Sequence, residues 1–181
     1  ILSLGTFNEN ILIDKELTLS GSGTGTILTV QPPFGMGSPP IADWTVPGIN
    51  VTSTDVTISN LQISNFTTGI LATNADSLIL SFVNVDDIQG VGIHIQESIN
   101  VELRNSNVIS SELSNIIVEE NSTDMLITDS IIRMSEQSGV IVRTGSEFFE
   151  IRDSWVSDNE DYGCLFASNG VTISNSQIYN N

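Results

Sequence analysis

The chain has 181 residues, 39% of them hydrophobic, so a single domain can bury a substantial core. Five Lys and Arg residues stand against 22 Asp and Glu residues, a net charge of −17. That charge argues against nucleic acid as a partner, because phosphate contacts need clustered basic side chains. No apolar run is long enough to insert into a membrane, and a single cysteine, Cys164, excludes an internal disulfide. Abundant Ser, Thr and Asn with little lysine favour a secreted or cell-surface location.

The chain divides into three parts within one predicted domain. Residues 1–30 read as opening coils, 31–48 as a loop insertion that holds all five prolines, and 49–181 as regular repeats. The loop carries Trp44, and we weigh two roles for it: a flap that covers the first coils, or a wall of a binding groove on which a sugar stacks. Since the sequence begins at Ile1 rather than Met, we expect the chain to be a piece of a longer protein.

Six similar segments follow one another at intervals of 22 to 24 residues. They begin at Val56, Leu78, Val101, Met125, Phe149 and Val171. Within each segment apolar and polar residues alternate, and a period of two residues is that of a β-strand. Polar corners separate three short strands in each segment. One such unit cannot close a core alone, whereas stacked units form a continuous apolar column. The pattern therefore predicts an all-β protein: a single right-handed parallel β-helix of about eight coils.

A small residue precedes the third strand in five of these units. These residues are Gly69, Gly92, Asn115, Gly139 and Gly163. Because glycine and asparagine tolerate a positive φ better than other residues, we expect a left-handed backbone at this corner.

Two segments, ITDSIIRMSEQSGVIVRTGS and LRNSNVISSELSNIIVEENS, resemble the parallel β-helix repeats of the pectate-lyase-like superfamily. The N-terminal segment LGTFNENILIDKELTLSGSGTGTIL is similar to the opening coils of NosD-like and disaggregatase-like members of that group. The resemblance implies the fold, but the superfamily includes lyases, hydrolases, esterases, epimerases, adhesins and tailspikes. It also implies an asparagine ladder, in which side-chain amides bond along the stack at the first corner. The matching column is Asn60, Phe82, Asn105, Asp129, Asp153 and Asn175, with Phe82 departing from the pattern.

The same resemblance suggests a possible catalytic group. Pectate lyases of this fold use a carboxylate-held Ca²⁺ with an Arg or Lys base, and the candidates here are Asp129, Glu150, Arg152 and Asp153, near Trp155. The aspartate cluster and Gly-His-Gly segment of polygalacturonases are absent. The alternative interpretation of these charges is corner stabilisation and surface ion pairing.

Two further columns face outward. Glu112, Glu136 and Glu160 stack at the second corner, where they either splay apart or hold a hard cation such as Ca²⁺. Leu71, Ile117, Ile141 and Leu165 form an apolar stripe that we expect to be covered by the loop, by a flanking domain or by a second subunit. His94 shares the stripe's column and has no carboxylate partner in the pattern, so we assign it no chemistry.

Three functions remain open. The first is a non-catalytic extracellular stalk or adhesin-like segment that binds a polysaccharide or cell-surface glycan through Trp44, Trp155, Arg104 and Arg152. It requires no cofactor, with Ca²⁺ as the cation to test. The second is a polysaccharide lyase or glycoside hydrolase. The third is a subunit of an extracellular assembly, a homo-oligomer joined through the apolar stripe.

Overall fold

A computed structural model describes residues 1–23, 25–29 and 47–181, and these residues form strands, corners and turns. Most of the predicted Pro-rich loop, including Trp44, lies outside the described residues. The strands are β1 Gly5–Phe7, β2 Ile11–Ile13, β3 Leu17–Ser20, β4 Thr26–Thr29, β5 Pro47–Val51, β6 Val56–Ser64, β7 Thr68–Thr73, β8 Ile79–Asp86, β9 Val91–Gln96, β10 Ile99–Arg104, β11 Asn107–Ile109, β12 Ile116–Glu119, β13 Thr123–Thr128, β14 Ile131–Arg133, β15 Ser138–Val142, β16 Glu147–Arg152, β17 Trp155–Ser157, β18 Tyr162–Phe166, β19 Asn169–Ser174 and β20 Gln177–Tyr179. A search of the described residues finds no helix suited to crossing a membrane.

All strand pairs are parallel, as a solenoid requires. A seven-stranded sheet takes one strand from each turn, in the order β18-β15-β12-β9-β7-β5-β2, so the structure has seven turns. A 13-stranded sheet covers the other two sides of the solenoid. The predicted parallel β-helix is confirmed, with seven turns where the repeats suggested about eight.

The core consists of the predicted inward columns. Ile58, Leu80, Leu103, Ile127 and Ile151 lie one above another at the centre of the first strands and are all fully buried. The next member, Ile173, is 42% exposed because its strand β19 lies at the edge of the sheet. Full burial of a side chain therefore requires a neighbouring coil on both sides, as expected for a solenoid in which each repeat contacts only its neighbours.

The predicted left-handed glycines are wrong. Gly69, Gly92, Gly139 and Gly163 are absent from the positive-φ residues, which fall instead at the neighbouring corners. The reason for glycine is close approach: a Cβ on Gly92 would lie 2.5 Å from the carbonyl oxygen of Asn115 in the next coil. Coils thus come together too tightly here for a side chain.

The side chains that hydrogen-bond along the stack at the first corner lie one position after the predicted asparagine column. The column from Asn60 to Asn175 occupies the left-handed region, with φ between 48° and 57°. The residue after it points inward: the backbone N–H of Ser106 donates to Ser130 Oγ at 3.2 Å, and that of Ser130 donates to Ser154 Oγ at 3.1 Å. Serine hydroxyls therefore satisfy the buried amides of this corner.

Replacing Ile127 with Asp should abolish folding, because an uncompensated charge would lie at the centre of a fully buried column. The matched control is Leu126→Asp, since Leu126 is its outward-facing neighbour on the same strand and is only half-buried. We expect a folded Leu126→Asp and an unfolded Ile127→Asp by circular dichroism. An Ile127→Asp protein that melts like wild type would show that the register is wrong.

Candidate functional site

One outward surface combines charged, apolar and hydroxyl side chains in two straight columns. We call it the first-strand face, because the first strand of each coil supplies it. Its columns are Ile79, Glu102, Leu126, Glu150 and Thr172, and beside them Ser81, Arg104, Thr128, Arg152 and Ser174. Strand pairing keeps both columns in register, and equivalent residues of successive coils lie about 4.8 Å apart.

The arginines of this face are paired with carboxylates. Arg104 Nη1 lies 3.4 Å from Glu102 Oε1. Arg152 lies between two acids, with Nη1 3.8 Å from Glu150 Oε1 and Nε 3.7 Å from Asp153 Oδ2. Each guanidinium is therefore within ion-pair distance of at least one carboxylate.

The structure brings together the predicted catalytic candidates Glu150, Arg152 and Asp153. Asp129 lies one coil earlier at the same corner, where its side chain accepts a hydrogen bond from Thr128 Oγ1 at 3.0 Å. Trp155 is separate, because the corner at Asp153 turns the chain and places Trp155 on the outward side of β17, 45% exposed. The charged residues and the indole thus belong to two adjacent faces.

A shallow trough runs along the other margin of the first-strand face. It consists of two adjoining depressions of about 320 Å³ each, with Asp124 and Leu126 lining both. Its side chains are Ser77, Ile79, Asn100, Glu102, Asp124, Leu126, Phe148, Glu150 and Thr172. Phe148 forms a wall of the trough with 59% of its surface exposed and a left-handed φ of 55°.

Two other predicted sites differ in how far the geometry supports them. Glu112, Glu136 and Glu160 are exposed at one corner of successive coils, and within the described ranges no three acidic, His or Cys side chains converge as metal ligands. The calcium site stays a prediction.

The apolar stripe occupies one column of the seven-stranded sheet, where Ile117 is only 8% exposed and Leu165 is 43% exposed. What covers this stripe also stays a prediction.

A cluster around Glu119 on the seven-stranded sheet was not predicted from the sequence. His94 Nε2 lies 2.6 Å from Glu119 Oε1, and Arg143 Nη1 lies 2.9 Å from Glu119 Oε2. Gln96 donates a further hydrogen bond to Glu119 at 3.2 Å. The expectation that His94 has no carboxylate partner was therefore wrong. Aligning Gln96, Glu119 and Arg143 as one outward column would have revealed the cluster.

Opposing influences act on Glu119. Burial raises its pKa, but the hydrogen bond and charge of His94, the hydrogen bond from Gln96 and the charge of Arg143 together hold that pKa below its ordinary value. Elsewhere, burial raises the pKa of the Cys164 thiol to about 12, which fits a core residue rather than a nucleophile.

Comparison with known proteins identifies the architecture. A family model described as "Right handed beta helix region" matches residues 47–181. A search for similar sequences among curated proteins finds no match.

Solved structures share the fold at low sequence identity. An alginate lyase from Paenibacillus sp. str. FPU-7 superimposes with a TM-score of 0.75 and 16% identity over 99% of this chain and 67% of the lyase. The periplasmic alginate epimerase AlgG gives a TM-score of 0.65 and 15% identity over 95% of this chain and 44% of the epimerase. The enzymatically active domain of tailspike protein 2 from bacteriophage CBA120 gives 0.64 and 13%, over 92% and 30%. The chain thus spans about two thirds of the lyase and less than half of the other two.

Glu119→Gln should lower stability at neutral pH and lose that effect in acid. A carboxyl whose pKa is lower in the folded state stabilises the fold above its unfolded pKa, and this contribution disappears as pH falls through the folded pKa. Denaturant unfolding at pH 7 and below about pH 4 measures the difference from wild type. Glu136→Gln at an exposed corner is the control, and an equal destabilisation by Glu119→Gln at both pH values would contradict the account.

Proposed function

The chain belongs to the right-handed β-helix family, and we propose that it is a non-catalytic, extracellular segment that binds a polysaccharide along the first-strand face. The observation that carries the proposal is the row of two adjoining depressions, whose lining residues come from successive coils. A linear polymer can lie along such a row and contact both depressions, whereas a small molecule would occupy only one of them.

The side chains of the trough suit a sugar chain. Ile79 and Leu126 are half-buried and offer apolar surface to the C–H faces of sugar rings, and Phe148 offers an exposed ring at the margin. Glu102, Glu150 and Asp124 supply hydrogen-bond acceptors for hydroxyl groups.

Arg152 takes part in a surface ion-pair cluster, 3.8 Å from Glu150 and 3.7 Å from Asp153. These contacts orient its guanidinium as a hydrogen-bond donor. Arg104 and Arg152 serve this proposal as fixed polar groups beside the trough, with Trp155 as a stacking platform on the adjacent face.

The second candidate is a polysaccharide-active enzyme. The grouping of Glu150, Arg152, Asp153 and Asp129 favours it, and three structures of the same fold are an alginate lyase, an alginate epimerase and a tailspike domain described as enzymatically active. A secreted or cell-surface location belongs to both candidates and is supported by the alginate epimerase of the same fold, which is periplasmic.

Affinity electrophoresis tests the proposal with gels that contain neutral polysaccharides (hydroxyethyl cellulose, xylan, galactomannan) or acidic ones (alginate, polygalacturonate), each with and without Ca²⁺. We expect retardation by at least one polymer, weakened by Phe148→Ala. Phe82→Ala is the matched control, because Phe82 is also 59% exposed at positive φ but lies at the opposite margin of the face.

Two results would contradict the proposal. Migration unchanged by every polymer would remove the binding function. Release of unsaturated or shortened oligosaccharides during incubation would replace the non-catalytic function with the enzymatic one.

A further inference from the structure

The apolar stripe on the seven-stranded sheet is partly open to solvent. Ile117, Ile141 and Leu165 follow one another on three successive coils. Leu71 continues the stripe two coils before Ile117, with His94 on the coil between them. These five positions span about 19 Å along the solenoid axis at the usual strand spacing. Leu71 and Ile141 are half-buried and Leu165 is exposed, so the stripe offers apolar surface to a partner.

Exposed carboxylates lie at both ends of the strands that carry the stripe. At the corner before these strands the coils stack through the backbone: the N–H of Glu136 donates to the carbonyl of Ser111 at 3.0 Å, and that of Glu160 donates to the carbonyl of Ser135 at 3.0 Å. At the corner after them, the N–H of Glu97 donates to the carbonyl of Glu120 at 3.1 Å. We call the two rows of exposed side chains the acidic rims: Glu112, Glu136 and Glu160 on one side, and Glu97 and Glu120 on the other.

The acidic rims are not neutralised by the protein itself. Among the residues that the structure describes, none of the five rim carboxylates lies within ion-pair distance of a basic side chain. Arg143 points outward on this sheet but is bound to Glu119, at 2.9 Å. Arg133, exposed at the end of β14, can compensate at most one rim carboxylate. On the first-strand face, by contrast, both arginines lie beside carboxylates.

The charge of the rims discriminates among possible partners for the stripe. A second copy of the chain would bring its own rims and a further −17 of charge against these, so like charges would oppose an apolar contact between copies. An anionic membrane surface would be repelled for the same reason. A protein surface with lysine or arginine on both sides of an apolar ridge would instead cover the stripe and compensate the rims.

We propose that this face of the seven-stranded sheet docks a basic amphipathic segment of a partner protein. Its apolar side chains lie on the stripe, and its lysine or arginine side chains lie on the acidic rims. The proposal goes beyond polysaccharide binding, because the stripe and the first-strand face belong to different sheets of the solenoid. It gives the stripe one occupant in place of the loop, the flanking domain and the second subunit that the sequence left open.

Isothermal titration calorimetry with three model peptides tests the proposal. The first peptide, of about 14 residues, alternates leucine and lysine with the period of an amphipathic helix. The second has glutamate in place of every lysine, and the third has serine in place of every leucine. We expect the leucine–lysine peptide to bind at least about tenfold more tightly than either of the others. Salt should weaken this binding without abolishing it, because salt screens the rim charges but not the apolar contact.

Single substitutions locate the docking surface. Leu165→Ser removes exposed apolar surface from the stripe and should weaken binding of the leucine–lysine peptide by about fivefold, and Glu136→Gln should weaken it by about threefold. The matched controls are Leu126→Ser and Glu102→Gln, which remove the same groups from the first-strand face and should leave the affinity unchanged. Thermal melting confirms that the variants fold, and the comparison of the three peptides on wild type needs no variant.

Several results would overturn the proposal. Equal binding of the serine–lysine peptide would show that net charge alone attracts the peptide, and absence of binding by all three peptides would leave the face without its partner. A loss of affinity in Leu126→Ser as large as in Leu165→Ser would place the peptide on the first-strand face. Dimerisation of wild type in analytical ultracentrifugation that Leu165→Ser abolishes would assign the stripe to a second copy. Retardation by polysaccharide gels is measured separately, so these results leave the proposed function standing.

Discussion

The structure depends on corners at which a left-handed residue recurs from coil to coil. Among the described residues, 21 other than glycine have a positive φ, and they fall into columns at the corners. A left-handed residue costs roughly 1–2 kcal/mol for most side chains but less for asparagine and aspartate, which form fourteen of these 21. If one corner turned differently, the following strand would lose register with its neighbours, and with it the inter-coil hydrogen bonds and the core. The chain therefore accepts local strain at Phe82, Met134 and Phe148 to keep the stack aligned.

This constraint also accounts for the composition. Asparagine and aspartate are frequent because corners need a left-handed residue, and serine is frequent because the buried position after the corner needs a hydroxyl to satisfy amides of the next coil. In the sequence, abundant Ser and Asn favoured an extracellular location. Many of these residues instead form the corners and the buried hydrogen bonds of the fold. The composition by itself is therefore weak evidence for the location.

The repeat made most of the fold predictable. Once Val56, Leu78 and Val101 were aligned, strand alternation determined which side chains point inward, and the structure confirms columns such as Ile58 to Ile151. Details that depend on distances between coils were not accessible from the pattern. The pattern does not show that Gly92 is needed for a close approach rather than for a turn. Nor does it show that Ser106, rather than Asn105, accepts the hydrogen bond between coils. Both depend on the spacing between coils. The column of Gln96, Glu119 and Arg143 was accessible from the repeat, but only the structure shows that His94, from the neighbouring column, contacts Glu119.

The central claim is that outward side chains of successive coils act together as one binding surface for a polysaccharide. Backbone amide shifts in a ¹H–¹⁵N NMR titration with an oligosaccharide of the polymer that retards the protein test it most directly. The account predicts perturbations that follow the first-strand face from Ile79 through Leu126 to Thr172, with the amides of Leu71, Ile117 and Ile141 on the opposite sheet unchanged. Perturbations centred on the seven-stranded sheet, or confined to a single coil, would contradict it.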